Sequence, residues 1–424
     1  MIVRFGIRNY LSIDNLNMDF TYAGPRAPAG YRTMEIYPFL QAGKLRLAPC
    51  MALMGANASG KSNILRAFVT FSNVVLGSVS NNYMPNELHP DNTTTEFTFS
   101  CVTKGRHYIY TIAYDSRQIH KETLHCGNKP VYSVSCTKHD LGALSNRDYY
   151  SVRRLVKILD TECSDVLEPD NEHVQTRTLL SVLRTNYAGL NRDVQLFYDY
   201  LKNIVLLPDT AFPFLLGSAL KTFKDVMDLS EQEALNRIAM EVRKFDVTLD
   251  GLAFVEVPVS PDDAIVHLTN PGKDGQKIFQ KFLCALHTNI HDKRVSFPVQ
   301  RESNGTQILI NVIGFILLAL HLGTPIIIDE LDKSLHPLIT QHIISLFKNK
   351  ATNPNGAQLI FASHVPDILE SGKLGPSEVA FVHKTLKNGT TLTRLSDYPG
   401  PHSTDTLREE YLTGAFGAIP FPRM

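Results

Sequence analysis

The sequence has no excess of either charge. Its 424 residues include 42 Lys and Arg against 42 Asp and Glu, giving a formal net charge of zero and a pI of about 7.2. Bulk charge therefore imposes no polyanionic partner, and nucleic-acid binding would need a local basic groove. Cysteine is scarce. The six residues, at 50, 101, 126, 136, 163 and 284, are too scattered for a disulfide framework. The nearest approach to a metal pair is Cys136 with His139, helped by His125 and Cys126. Structural zinc sites show two tight ligand pairs, so zinc is not expected there. A reducing cytoplasm is the simplest setting. No run approaches the ~20 apolar residues that span a bilayer. The longest, around Ile308–Leu322, contains Asn311 and ends at a glycine, so no membrane partner is expected. The opening "MIVRFGIRNYLSI" lacks the basic-then-apolar order of a signal peptide and reads as a strand. Internal repeats, low-complexity tracts and long heptad runs are missing, which excludes solenoids and long coiled-coil arms.

What remains is an ordinary globular composition, 43% hydrophobic and 20% charged, at a length that suggests two lobes or one domain with a large insertion. Over residues 1–20, Val3, Phe5 and Ile7 alternate with Arg4 and Arg8, the pattern of a half-buried antiparallel strand. Residues 21–46 hold glycines, prolines and a second strand-like piece. "CMALMG" (50–55) is a short apolar run ending in glycine, as in a buried strand. Ser62–Leu76 has helical spacing with Gly77 beyond its end. Between Thr94 and Cys126 three alternating runs predict a meander turning at Lys104-Gly105 and Asp115-Ser116. Residues 146–245 change character, with helical spacing in "YYSVRRLVKIL", "TRTLLSVLRTN", "DVQLFYDYLKNIVLL", "SALKTFKDVMDL" and "EQEALNRIAMEVRKF". Strands return at "LAFVEVPV" and "AIVHLTN", and from Val295 to about Leu395 strand and helix alternate, which predicts a parallel core sheet. The division expected is 1–140 and 251–424 as two halves of one head, with a helical insertion over 141–250.

"GANASGKSNIL" (55–65) fits G-x-x-x-x-G-K-[ST] through Gly55, Gly60, Lys61 and Ser62. A phosphate cradle turns backbone N–H groups inward, so glycine is needed where a Cβ would clash. The following helix presents its positive N-terminal end. Lys61 would reach the β- and γ-phosphates and Ser62 would give a hydroxyl to Mg²⁺. Asn57 and Asn63 complete the ATP-contacting set. In "TPIIIDELDKSLHP" (324–337), three isoleucines predict a buried strand ending at Asp329, placed to hold Mg²⁺ through water. Glu330 follows, placed to polarise an attacking water. Ahead of it, "ESNGTQ" (302–307) offers Ser303 as a helix N-cap, with Asn304 and Gly305 keeping the helix start open to an anion. In "QLIFASHVPDIL" (358–369), His364 sits just past another apolar strand, in reach of a γ-phosphate.

The order cradle, insertion, signature, acidic strand, strand-His resembles the ABC-type ATPase head of the SMC, RecF and OLD families. It is most similar to the stand-alone AAA-family ATPases of abortive-infection systems, of the RloA/AbiL kind. "FGIRNYLSI", "GANASGKSNIL", "ESNGTQ", "IIDELDKSLHP", "QLIFASH" and "YLTGAFGAIP" carry the resemblance, over about 1–125 and 250–424. It implies an α/β, ABC-type P-loop NTPase head with an N-terminal antiparallel β lobe and a helical insertion. It also implies ATP and Mg²⁺ as cofactors and a homodimer or higher homo-oligomer. Lys61, Ser62, Asp329, Glu330 and His364 would act in cis, with Ser303 and Gly305 in trans. "LDKSLHP" would cross the interface, with Asp332 and Ser334 as contacts. The signature differs from the Leu-Ser-Gly-Gly-Gln of transporters. No glutamine occurs between Ser62 and Gln118, so the usual glutamine loop is not placed.

Two functions follow. One is an ATP-driven dimerising switch that controls a separate effector, a nuclease or toxin, in anti-phage defence. The other is a RecF/SMC-like ATPase of DNA repair or maintenance, with DNA as partner through Arg153-Arg154, Arg177, Arg184, Lys221, Lys224 and Arg243-Lys244. Interleaved acids make these residues solvated helix faces on the simpler reading. A transporter subunit would need a membrane partner and a coupling glutamine loop. About 60 residues follow His364, with Asp367, Glu370, Glu378, Asp397, Asp405, Glu409 and Glu410 read as solvated surface rather than the acidic nuclease domain of OLD enzymes. The apolar tail "YLTGAFGAIPFPRM" is expected to pack on the head or form an oligomer contact.

Overall fold

The computed structural model describes residues 1–22, 40–42, 45–135, 138–140, 176–186, 191–207, 224–259, 278–333, 335–370, 372–385, 387–399 and 406–419. The expected helix over 149–159 and strand over 264–270, together with Cys136, Arg153, Arg154, Lys221, Ser334 and Asp405, lie outside them. The chain divides into two compact units. The first comprises Met1–Asp209, Ala319–Lys333 and Thr340–Met424; the second comprises Thr210–Leu318 and Ser334–Ile339.

The first unit is α/β. Its strands are β1 (Ile2–Tyr10), β2 (Ile13–Asp19), β3 (Leu40–Ala42), β4 (Leu45–Leu47), β5 (Cys50–Met54), β6 (Thr95–Thr103), β7 (Arg106–Tyr114), β8 (Ile119–Cys126), β9 (Lys129–Ser135), β10 (Lys138–Asp140) and β11 (Val205–Leu207). Later in the chain come β15 (Pro325–Ile328), β16 (Gln358–Ser363), β17 (Val379–Thr385) and β18 (Gly389–Arg394). Thirteen of them form one sheet in the order β10-β9-β8-β7-β6-β1-β2-β18-β17-β5-β16-β15-β11. The β17-β5-β16-β15-β11 half is parallel, as the alternation of strand and helix predicted. Every residue of β5, β15 and β16 is buried, which is why β5 and β15 read as unbroken apolar runs and β16 as an apolar run between Gln358 and Ser363. The other half, β10 through β2, is antiparallel, and β18 joins the halves.

Four sequence expectations change here. Residues 1–20 form a hairpin rather than one strand, turning at Leu11–Ser12 with Leu11 at φ 47°. A register shift between Ile2 and Arg4 sends Val3 to a small cluster with Leu47 and Val102, whereas Phe5 and Ile7 enter the main core. The helix α3 (Arg192–Lys202) ends before Ile204, and β11 pairs in parallel with β15. The apolar residues of "NIVLL" satisfy either period; pairing with β15 decides for the strand. Glu378 is not solvated surface: it is fully buried, accepts a hydrogen bond from the buried Lys348 ammonium, and also accepts from Gly375 N–H at 2.6 Å. Asp367 and Asp397 keep to the surface, paired with Arg408 and Arg394.

Helix α1 (Lys61–Leu76) lies on the antiparallel half. Its residues Ile64, Leu65, Phe68, Phe71 and Val75 recur at helical spacing and are buried. Phe68 and Phe71 meet Phe5 and Phe99 at ring distances of 4.1 and 5.0 Å. Each such side chain contributes roughly 1.5–3 kcal/mol of burial, so the start of α1 is fixed by a packed face. Helix α2 (Leu179–Asn186) joins this core through Glu122 on β8. That fully buried carboxylate accepts from Tyr110 and Tyr132 hydroxyls and from Leu179 and Leu180 N–H groups. The tail packs on the same unit: after α8 (Leu407–Leu412), Phe416 stacks on Phe381 at 4.3 Å.

The second unit holds α4 (Glu231–Val242), a three-stranded antiparallel sheet of β12 (Gly251–Val259), β13 (Ile278–Thr288) and β14 (Arg294–Pro298), and the first part of α5 (Asn304–Leu322). Ser230 and Glu233 form a capping box that starts α4. Gly314 lets α5 approach α4: a Cβ there would sit 3.3 Å from Ile238. Contrary to the sequence expectation, one helix among the described residues, α5, is by length and composition apolar enough to cross a membrane; 61% of its apolar window is buried within the protein. The helices α6 (Pro337–Lys348) and α7 (Asp367–Glu370) come later in the chain.

Candidate nucleotide-binding site

The loop after β5 connects two buried elements, so its ends are fixed and its shape is set by what lies behind it. Gly55 backs onto β17: a Cβ there would be 2.3 Å from the Val382 carbonyl oxygen. Gly60, at φ 105°, backs onto β18, where a Cβ would be 2.1 Å from the Thr390 hydroxyl. Both glycines are therefore required by close approach. Between them Ala58 holds φ 62°, a left-handed conformation uncommon outside glycine. Thr390 donates to Ser59 O at 3.3 Å and shares a 2.7 Å hydrogen bond with Ser12, which accepts from Asn63 at 2.7 Å. The Ala56 N–H donates to Ala418 O at 2.8 Å.

Lys61 is 4% exposed. Its ammonium donates to Gly55 O at 2.7 Å and Ala56 O at 2.9 Å. Burial lowers its pKa to about 8, against the opposing pull of Asp329, Glu330 and Asp332. Three carboxylates on the turn after β15 thus act on the lysine of the loop after β5. That neighbourhood follows from strand order, since only β16 separates β5 from β15.

The turn itself is shaped by backbone pairing. Asp329 N–H donates to Leu207 O and Leu331 N–H to Ala362 O, both at 3.2 Å. Glu330 between them is at φ 51°. Its carboxylate lies 3.6 Å from His364 Nε2 and 3.3 Å from Lys333 Nζ. Asp332 accepts from the Ser363 hydroxyl at 2.9 Å and from the His364 and Val365 N–H groups at 3.1 Å. One oxygen of Asp332 therefore ties the Glu330 turn to the His364 loop within this chain. Sequence reasoning missed that contact, as it missed Ser12, Thr390 and Ala418.

In the second unit, Ser303 caps α5 as the sequence predicted, its hydroxyl accepting from Thr306 N–H at 3.1 Å. Ser303 and Asn304 are exposed, as are Asn57 and Ala58 in the loop of the first unit. Gln118 closes the β7–β8 turn, its N–H donating to Asp115 at 2.9 Å. Among the described residues no group of three or more His, Cys, Asp or Glu side chains is arranged to hold a metal alone. The Ser62 hydroxyl and Asp329 carboxylate are hard oxygen donors. Mg²⁺ commonly takes one or two such groups and completes its shell with water and substrate phosphates. These residues fit that donor chemistry.

Residues 50–370 match the family model described as "AAA domain, putative AbiEii toxin, Type IV TA system". The chain is similar to three solved SMC heads, covering 93% of its length in each case. One is an SMC head bound to the C-terminal winged-helix domain of ScpA, at 12% identity, 97% coverage of that chain and a TM-score of 0.49. Another is the SMC head domain from Thermotoga maritima, at 11% identity, 98% coverage and 0.39. The third is an SMC head with an extended coiled coil bound to the C-terminal domain of ScpA derived from Pyrococcus furiosus, at 11% identity, 96% coverage and 0.40. No curated protein matches the sequence.

Proposed function

Because the chain belongs to this AAA-domain family, whose model spans most of it, we propose that it is an ABC-type ATPase working as an ATP-dependent dimerising switch. One observation carries the reading. The loop lysine, the acidic turn and the histidine converge within one unit, with Lys61 under the influence of Asp329, Glu330 and Asp332, and with Glu330 3.6 Å from His364. A loop built only to join β5 to α1 has no use for a buried ammonium.

The N–H groups of Gly60, Lys61 and Ser62 and the Lys61 ammonium hold phosphate oxygens, and the N-terminus of α1 adds its positive end. Asn57 and Asn63 flank the phosphates. Ser62 and Asp329 would hold Mg²⁺, which when bound neutralises phosphate charge. Glu330 accepts a proton from the attacking water, and His364 orients that water or the γ-phosphate beside it. Ser303 and Gly305, at the exposed start of α5, complete the site of a second copy, with Asp332 near the crossing.

The family description, with its putative AbiEii toxin of a Type IV TA system, supports a place in defence, and the partner is part of the same proposal. The effector is a separate nuclease or toxin gripped or released as the dimer closes, in a cytoplasmic antiviral defence. Direct DNA repair is less well supported. Arg184 already pairs with Asp199 and stacks over Tyr198, and Lys244 pairs with Glu241. The test is the solution mass of Glu330→Gln with Mg²⁺, with and without ATP. A doubling on adding ATP is expected. A mass that stays monomeric while ATP is bound would remove the switch and leave only the phosphate cradle.

A further inference from the structure

The sheet of the second unit carries a histidine with no place in nucleotide chemistry. His287, near the end of β13, points both ring nitrogens at oxygen acceptors. Nδ1 is 2.8 Å from Thr248 O, and Nε2 is 2.9 Å from a Glu302 carboxylate oxygen. A carbonyl can only accept, so Nδ1 carries a proton. A neutral ring would then turn its Nε2 lone pair toward the carboxylate. The geometry is satisfied when both nitrogens are N–H, as imidazolium, with Glu302 ionised. Side-chain exposure of 15% and 14% keeps the pair partly out of water.

The pair sits at the residue before Ser303, and the contacts continue. Asp246 accepts from Thr248 N–H and hydroxyl at 3.1 and 2.8 Å. Its other oxygen accepts from the Thr306 hydroxyl at 3.1 Å, and Thr306 shares a 3.0 Å hydrogen bond with the Ser303 hydroxyl. Gln307 fastens the same turn from inside, donating to Gln300 O and Glu302 O. His287 thus grips the first residue of the signature through Glu302. It also grips the Asp246–Thr248 loop that holds Thr306. The charged groups facing the ring are Glu302 and Asp246, while Phe297 on β14 lies 5.7 Å away with no charge.

We propose that His287 is the positioning residue of the signature: as imidazolium it fastens Glu302 and the Asp246–Thr248 loop together and sets the direction in which Ser303 is presented to the second copy's nucleotide. This rests on the ATPase reading for its purpose, although the fastening itself needs no nucleotide. Burial of the ring opposes its charge, but the bonds to Glu302 and Thr248, with the fields of Glu302 and Asp246, raise its pKa above the ordinary histidine value. The clamp is therefore fully present below the ordinary range and is lost as pH rises through the raised value.

Hydrogen exchange of the amides from Glu302 to Gln307 tests this, corrected for intrinsic rates between about pH 6 and pH 9. A parallel NMR titration follows the His287 ring. Loss of a charged hydrogen bond of ordinary strength predicts that protection falls roughly tenfold or more, with the midpoint of the ring titration. His287→Gln should hold low protection at every pH, and Glu302→Gln should move the ring's midpoint down. Protection that stays level through the wild-type midpoint would overturn the proposal, as would an unchanged fall in His287→Gln. The wild-type arm stands if the variants do not fold. None of these readouts uses ATP, so a switch that fails the mass experiment leaves this result separately readable. Where turnover is present, the clamp predicts a lowered kcat above the midpoint with nucleotide affinity at the Lys61 loop unaltered by His287→Gln.

Discussion

Replacing Glu330 by asparagine should slow ATP turnover while leaving the protein slightly more stable than replacement by glutamine does. Glu330 holds φ 51°. For a side chain with a Cβ the left-handed region costs about 1–2 kcal/mol, and asparagine tolerates it better than most residues. Its contacts are weak compensation: Lys333 and His364 at 3.3 and 3.6 Å, with Glu330 32% exposed. Such exposed pairs are worth about 0–1 kcal/mol. Asparagine therefore gains of order 0.5–1 kcal/mol over glutamine at the same position, because both lose the charge and only asparagine relieves the backbone. Both variants lose the proton acceptor, and turnover should fall roughly 10²–10⁴-fold. Urea midpoints of the two variants and single-turnover phosphate release read the two effects independently. An asparagine variant less stable than the glutamine variant would refute the strain argument. Turnover at the wild-type rate in either would refute Glu330 as the base.

Three more outcomes are expected. Gly60→Ala should abolish measurable ATP binding in calorimetry, since its Cβ would lie 2.1 Å from Thr390 Oγ1 at a φ of 105°; Thr390→Ala alone should leave binding largely intact. ATP affinity should weaken as pH rises past about 8, where Lys61 loses its proton in the free protein, and Lys61→Arg should remove that dependence at lower overall affinity. Glu378→Gln leaves the buried Lys348 ammonium without its counter-charge and should cost about 3–5 kcal/mol in urea unfolding; the paired change of Lys348 to Met and Glu378 to Leu should recover most of it.

The site was legible wherever its chemistry is written in neighbouring residues. "GANASGKS" directly follows a buried strand and "IIIDE" ends one, each with its turn and candidate side chains in one short stretch, so strand pairing had only to place them side by side. Ser303 was legible because capping is a local event. What could not be read depends on which strands become neighbours. Thr390 and Ser12 form the back wall of the loop only because β18 lies between β2 and β17. Val3 leaves its expected cluster through a register shift that its own alternation does not encode. Glu378 looks like any surface acid until Lys348 arrives from α6. Asp332 could be expected at a subunit crossing, whereas its contacts with Ser363 and the His364 loop appear only once β15 and β16 pair.

The hydrogen bond from Ala56 to Ala418 has a consequence for how the protein is made. A chain emerging from the ribosome completes the sequence of its phosphate loop early, yet β16, β17, Thr390 and Ala418 follow several hundred residues later. Contacts of such long sequence separation form slowly and late. Until then the loop has neither its neighbouring strands nor its back wall, so the nascent chain presents a recognisable motif without a finished receptor. Translation that stops short of Ala418 would give a product whose early strands are all present and whose loop after β5 lacks its last backbone contact.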